Sequence, residues 1–264
     1  MGRVIIAGGR AIGVDEAGSG DAVPILFLHG VGSDKSVWAP QLAHFGKSRR
    51  AVALDYPGYG ESDPAPASAT RDDYAAAILA AMDAMSIERA HVCGLSLGGV
   101  VAIAIHQAAP KRVRSLILAD SFAVHPDGQA IYDRSVAASR SGSMRELAEA
   151  RVDMLLAPGI DPQVRAEVVE TMARIDPDAY RAGAAAVWLA DQRDRAARIA
   201  VPTLVLVGDE DRITPPELSH ELADAIPGAE LEIIADAGHL SNIEQPALFD
   251  AAVESFIQRV EARP

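Results

Sequence analysis

The segment that most restricts the fold lies near residue 96. Gly94-Leu95-Ser96-Leu97-Gly98 places a glycine two residues before and two residues after a serine. A mostly apolar run (residues 90–93) leads in, and a run of small helix-compatible residues (100–109) leads out. A strand that turns straight into a helix brings its two backbones close together. The positions flanking the serine must therefore lack a Cβ, and the turn itself is strained. The Ser96 hydroxyl then stands at the tip of a strand, at the positive end of a helix. The N–H of Leu97 points to where negative charge would collect on an attacked carbonyl oxygen. Taken alone the pentapeptide is a weak signal. Its strand–turn–helix setting, and the partners found downstream, give it weight.

The rest of the chain supplies strands and helices in alternation. Two short β-type runs around Gly8-Gly9, within residues 3–16, predict an edge hairpin. Apolar runs at residues 23–28, 50–54, 89–93, 113–119, 202–207 and 230–235 predict six more strands. Helices are expected at 37–45 with Ser36 as N-cap, at 71–85 capped by Thr70, after Ser96 as far as Ala109, and at 216–226 and 246–260. This order makes the chain α/β, with a mostly parallel eight-stranded sheet covered by helices on both faces. The alternation breaks between residues 123 and 199. Only helical patterns occur there, with candidates at 143–156, 162–175 and 177–190. Residues 1–122 and 200–264 thus form the core, and 123–199 a helical cap inserted over the strand ends, where ligands of such folds bind.

Bulk properties exclude several functions. The formal net charge is −13, which disfavours nucleic acid and anionic membrane as partners. Cys93 is the only cysteine, so no intrachain disulfide and no cysteine-based metal site is expected. No apolar window is long enough for a membrane span, and the N-terminus does not read as a signal peptide. The expectation is a cytoplasmic protein, monomer or homodimer, that needs no metal or organic cofactor.

A serine hydroxyl is a weak nucleophile at neutral pH. It needs a base to take its proton and a carboxylate to orient that base. Of the seven histidines, only His239 follows a late apolar strand within a Gly-flanked loop, Gly238-His239-Leu240. Two strand ends offer the carboxylate. Asp209, Glu210 and Asp211 share one, and Asp120 stands at the other. The order serine, acid, histidine holds for both, and Asp211 is favoured because its loop ends in Thr214-Pro215 before a helix. The small-residue loop His29-Gly30-Val31-Gly32-Ser33 makes the Val31 amide a second oxyanion donor beside Leu97. Trp38, Phe122, His125 and Trp188 are the expected pocket lining. Seven arginines of the insertion (Arg134, Arg140, Arg145, Arg151, Arg165, Arg174, Arg181) are candidates to meet an anionic substrate.

From residue 23 onward the sequence resembles the α/β-hydrolase fold family. The resemblance rests on His29-Gly30-Val31-Gly32, Asp55-Tyr56-Pro57-Gly58-Tyr59-Gly60-Glu61-Ser62, Gly94 to Gly99, Gly208 to Pro215, and Gly238-His239. It implies Ser96 as nucleophile, Asp211 as acid, His239 as base, and the Val31 and Leu97 amides as the oxyanion hole. Gly94 to Gly99 and His239 to Pro246 also look like the 3-oxoadipate enol-lactonase branch, close to small carboxylesterases. The implied activity is a serine hydrolase that opens a small-molecule ester or lactone through an acyl-enzyme. Two other readings are a hydrolase of carbon–carbon bonds in ring-cleavage products, and a hydrolase-like receptor with little turnover. Dehalogenase and epoxide-hydrolase chemistry of the usual kind wants a carboxylate where Ser96 stands.

Overall fold

The computed structural model describes residues 2–263. Eight strands form one sheet: β1 (Gly2–Ala7), β2 (Arg10–Ala17), β3 (Ile25–Leu28), β4 (Ala51–Leu54), β5 (Ala90–Leu95), β6 (Val113–Ala119), β7 (Thr203–Gly208) and β8 (Glu230–Ile234). Their spatial order is β1-β2-β4-β3-β5-β6-β7-β8. β1 runs antiparallel to β2, and β2 antiparallel to β4; every later pair is parallel. The central strands β3, β5 and β7 are buried at every position, because helices cover both faces of the sheet. The edges differ: Val4 and Ile6 on β1 and Ile233 on β8 reach solvent.

Between the strands run α1 (Ala39–Phe45), α2 (Arg71–Ala84), α3 (Leu97–Ala108), α9 (Pro216–Ala225) and α11 (Pro246–Glu261), with a single turn, α10 (Ser241–Glu244), before the last. The start of α2 is fixed by a capping box in which the Thr70 hydroxyl and the Asp73 carboxylate satisfy each other's backbone amides. Such a cap contributes about 1 kcal/mol. At residues 35–45 the outcome departs from expectation. The cap there is Asp34, which accepts from the Ser36 amide, and it opens a 3₁₀ turn over Lys35–Trp38 before α1. A Pro at position 40 lacks the N–H an earlier α-helical start would use.

Between β6 and β7 lie α4 (Gly128–Ser141), α5 (Met144–Leu155), α6 (Pro162–Ala173), α7 (Pro177–Trp188) and the short α8 (Arg193–Ala196). α4 lies outside the three helices expected there. Its fully buried positions are Gly128, Ser135 and Ser139, while Ile131, Tyr132 and Ala138 pack only partly buried against the core. The base of the insertion is clasped: Val124 bridges Asp191, and the Gln192 amide donates to the Ala123 carbonyl at 2.8 Å. The Gln192 side chain also reaches the Val100 carbonyl on α3, at 2.6 Å. The insertion is thereby tied to the helix that begins at Ser96. No helix among the described residues is long and apolar enough to cross a membrane.

Candidate active site

Ser96 sits between β5 and α3 with φ 55° and ψ −113°, in the left-handed region that side-chain-bearing residues avoid. The neighbours explain why that strain is held. A Cβ at Gly94 would lie 2.2 Å from Gly98 backbone atoms, and one at Gly98 would lie 2.1 Å from the Leu28 carbonyl oxygen. Neither glycine can be replaced without moving a strand. The turn is pinned further by Ser96 N–H to the Ala119 carbonyl, 2.9 Å, and by the Ser121 hydroxyl to the Ser96 carbonyl, 3.0 Å. The loop after β3 lies against the serine: a Cβ built on Gly30 would be 3.5 Å from the Ser96 Cβ. Leu97 is the first residue of α3, so its amide is one of the helix's four orphan donors.

His239 follows β8 and is buried. Its Nδ1–H donates to Asp211 Oδ2 at 2.8 Å. The same carboxylate oxygen accepts from the Thr214 hydroxyl at 2.7 Å, and Oδ1 accepts from the amides of Ile213 and Thr214 at 2.8 and 2.9 Å. Burial alone would raise the Asp211 pKa. The His239 charge and these donors outweigh it and hold the carboxyl below its ordinary value. Burial likewise would lower the His239 pKa, but Asp211 outweighs it and the net shift is upward. With Nδ1–H committed to Asp211, His239 keeps Nε2 for another partner.

Asp120 also lies here, fully buried at the end of β6 with φ 47°. Its Oδ1 accepts from the Gly208 amide at 2.9 Å, and Oδ2 meets the Ser241 hydroxyl. It makes no hydrogen bond to His239 among the described contacts; the ring's carboxylate partner is Asp211. Burial first, and the Asp211 charge second, push its pKa from 3.8 up to about 8. Folding therefore takes up a proton at Asp120 across that interval, and the stability it contributes falls as pH rises from 3.8 towards 8. Asp120→Asn keeps the shape and removes the titration. Its Tm should gain on wild type progressively between about pH 4 and about pH 8 and level off above that. A pH-independent Tm difference in thermal melts would show that Asp120 is ionised in the fold.

Ser96 and His239 open into one cavity of about 280 Å³. Its walls come from the β3 loop (Gly30 to Ser33), from α1 (Ala39, Pro40), from Ile213 and Leu240, and from the insertion, notably Arg151, Leu155, Met172, Tyr180 and Trp188. Of the four side chains expected to line it, Trp188 does so. The other three are placed elsewhere. Trp38 is buried in the core, its ring 4.8 Å from Phe27 and 6.0 Å from Phe249, because the 3₁₀ turn rotates it under the sheet-flanking helices. Phe122 stacks on Trp188 from behind at 5.7 Å, and His125 packs edge-on against both rings. Phe122 and His125 thus brace Trp188 and do not face the cavity. Among the described residues no three of His, Cys, Asp and Glu group as a metal site requires.

The sequence profile of the alpha/beta hydrolase family matches residues 25–252. The chain belongs to that family. It is 30% identical over 260 residues to 3-oxoadipate enol-lactonase 1 of Acinetobacter baylyi, covering 96% of this chain and 95% of the relative. It is 32% identical over 285 aligned positions to a Pseudomonas 2-hydroxymuconate semialdehyde hydrolase, covering 99% and 95%. Among solved structures, the enol-lactonase of Burkholderia xenovorans superposes with a TM-score of 0.92 at 29% identity, over 97% of this chain and all of that one.

In this α/β-hydrolase the stretch Ser241-Asn242-Ile243-Glu244-Gln245 holds the histidine loop in place. The Glu244 carboxylate accepts from the Gly238 and Leu240 amides, both at 3.0 Å, and from the Ala157 amide at 2.7 Å. The His239 amide donates to the Leu155 carbonyl at 2.8 Å. One carboxylate thus links the loop bearing His239 to the end of α5. Asn242 anchors the other side, donating to the Val37 carbonyl at 2.9 Å. Sequence reasoning used these residues only as a mark of resemblance. A carboxylate five residues after a loop histidine was the available signal, since buried amides need an acceptor. Tyr180 was missed outright: its hydroxyl is buried without a partner, and a tyrosine within an Ala-rich helix reads as packing.

Proposed function

We propose that this protein hydrolyses small-molecule carboxylic esters or lactones through an acyl-enzyme formed on Ser96. One observation carries the reading: a serine held in a left-handed turn at the tip of a central strand shares a cavity with a histidine hydrogen-bonded to a buried carboxylate. Ser96 Oγ attacks the carbonyl carbon and passes its proton to His239 Nε2. Asp211 holds the ring in that tautomer and stabilises the imidazolium. The Val31 and Leu97 amides receive the oxyanion, a contribution of about 3–4 kcal/mol per donor in other hydrolases. His239 then protonates the leaving alkoxide. Water, deprotonated by the same ring, releases the acid and restores Ser96. Residues 123–199 act as a cap that screens these charges from bulk water.

The enol-lactonase relative and the enol-lactonase structure support a lactone as substrate. A second reading, cleavage of a carbon–carbon bond in a ring-fission product, is favoured by the identity to the 2-hydroxymuconate semialdehyde hydrolase. A receptor would call for a filled or damaged site, whereas the cavity at Ser96 is about 280 Å³ and His239 is paired. The test is wild-type turnover of a short p-nitrophenyl ester, an enol-lactone and a ring-fission dienone. Ester or lactone turnover is expected. Turnover of the dienone alone would replace this proposal with the second reading, and inertness to all three would favour the receptor.

A further inference from the structure

His125 stands at the base of the insertion, one residue after the Val124 that bridges Asp191. Its ring packs nearly perpendicular to those of Phe122 and Trp188, with centroids 5.4 and 5.5 Å away. Nδ1 accepts from the Asp127 amide at 3.1 Å. A neutral ring therefore holds its hydrogen on Nε2. The ring also donates a hydrogen bond to the carbonyl of Ile213, in the loop that carries Asp211. That carbonyl belongs to the same peptide unit as the Thr214 amide. The unit is planar and trans, so its C=O and N–H point in opposite directions. On the far side, the Thr214 N–H donates to Asp211 Oδ1 at 2.9 Å. His125 and Asp211 thus grip the two ends of one peptide. Burial lowers the His125 pKa more than Ile213 and Asp127 raise it, which keeps the ring neutral and Nδ1 free to accept.

We propose that His125 is a positioning residue for Asp211, acting through the Ile213–Thr214 peptide. Holding the carbonyl resists rotation of that peptide, so the Thr214 amide stays on Oδ1 and Oδ2 stays turned to His239 Nδ1, 2.8 Å away. In such a chain each hydrogen bond polarises the next. The start of the loop is anchored separately: the Glu210 amide donates to the Ala237 carbonyl at 2.9 Å, and the Asp211 amide to the Gly208 carbonyl at 3.2 Å. Arg212, between the two halves, is exposed. His125 secures the second half from the side of the insertion, so the base of the cap helps to orient the acid. The inference rests on Asp211 being the acid of the proposed reaction, and one arm of its test needs no turnover.

Two substitutions separate this role from packing. The amide oxygen of asparagine falls close to the place of Nδ1, and the amide nitrogen of glutamine close to that of Nε2. His125→Asn therefore keeps the Asp127 contact and loses Ile213, whereas His125→Gln keeps the donor to Ile213. On the preferred ester or lactone, His125→Asn should lower kcat about tenfold with KM changed by less than about twofold, and His125→Gln should stay within about twofold of wild type. Added to Asp211→Asn, His125→Asn should cost less than about twofold more, because the carboxylate it positions is gone. The arm without substrate is the low-field proton NMR signal of His239 Nδ1–H, identified by its loss in Asp211→Asn. It should move in His125→Asn and hold its place in His125→Gln. If His125→Asn does not fold, His125→Ala should show the moved signal, and added imidazole should restore it. Equal behaviour of the asparagine and glutamine variants in both arms would reduce His125 to packing and overturn the proposal. An undiminished effect on top of Asp211→Asn would overturn the route through Asp211. A signal that moves in His125→Asn alone, in a protein that hydrolyses no ester or lactone, would keep the positioning role and sink the ester reading.

Discussion

Ser96→Ala should lower kcat on any ester or lactone the protein turns over by about 10⁴-fold or more, with little change in fold. The expectation is large because the remaining groups cannot replace a nucleophile. Without Oγ, His239 can only activate a water with no defined position, and the oxyanion amides act on a carbonyl that nothing attacks. Stability should change little, because alanine keeps the Cβ and with it the strain at φ 55°. Ser96→Gly separates the two effects: it should be equally inactive, yet more stable than Ser96→Ala by about 1 kcal/mol, since glycine adopts this conformation freely. Both are read from steady-state rates and urea unfolding. Appreciable turnover by either variant in a preparation free of host esterases would remove Ser96 from the mechanism.

The second large effect separates two buried carboxylates. Asp211→Asn should cut kcat/KM by about 10³–10⁴-fold, because an amide at this position can donate to Nδ1 and so favours the wrong imidazole tautomer. Asp120→Asn should cost less than about tenfold, because Asp120 hydrogen-bonds the Gly208 amide and Ser241 and holds its proton up to about pH 8. An asparagine amide can make the same two contacts. The pH profile gives an independent readout. His239 must be neutral to act as base, and Asp211 outweighs burial to raise its pKa. Wild-type kcat/KM should therefore rise through an apparent pKa above 6.5, and the residual rate of Asp211→Asn should show that limb shifted to lower pH. A severe loss in Asp120→Asn with a mild one in Asp211→Asn would exchange their roles.

Local sequence was enough wherever a residue's task is set by its own backbone. Gly94 had to be glycine because strand and helix meet within five residues, and a Cβ there would lie 2.2 Å from Gly98 backbone atoms; Gly98 must be glycine because a neighbouring strand, β3, brings the Leu28 carbonyl to 2.1 Å. The near-continuous apolar runs at β3 and β7 announced a sheet covered on both faces. The break at residue 123 announced the insertion, although α4, fully buried only at glycine and serine, stayed hidden. Side chains whose direction depends on distant partners were not legible. Trp38, Phe122 and His125 occupy loops near the strand ends, as Trp188 does at the end of its helix. Only packing against Phe27 and Phe249, or against each other, decides which of them faces the cavity. The same holds for the arginines: the insertion carries ten, and only their neighbours reveal that Arg151 meets the cavity while Arg145 and Arg165 bind surface carboxylates. The sequence by itself determined the sheet, the strained serine turn and the loop that carries His239, because these follow from backbone sterics and hydrophobic period. The tertiary structure settled which of the two candidate carboxylates meets His239, the favoured Asp211, and alone decided which side chains line the cavity, because both depend on how segments distant in sequence pack together.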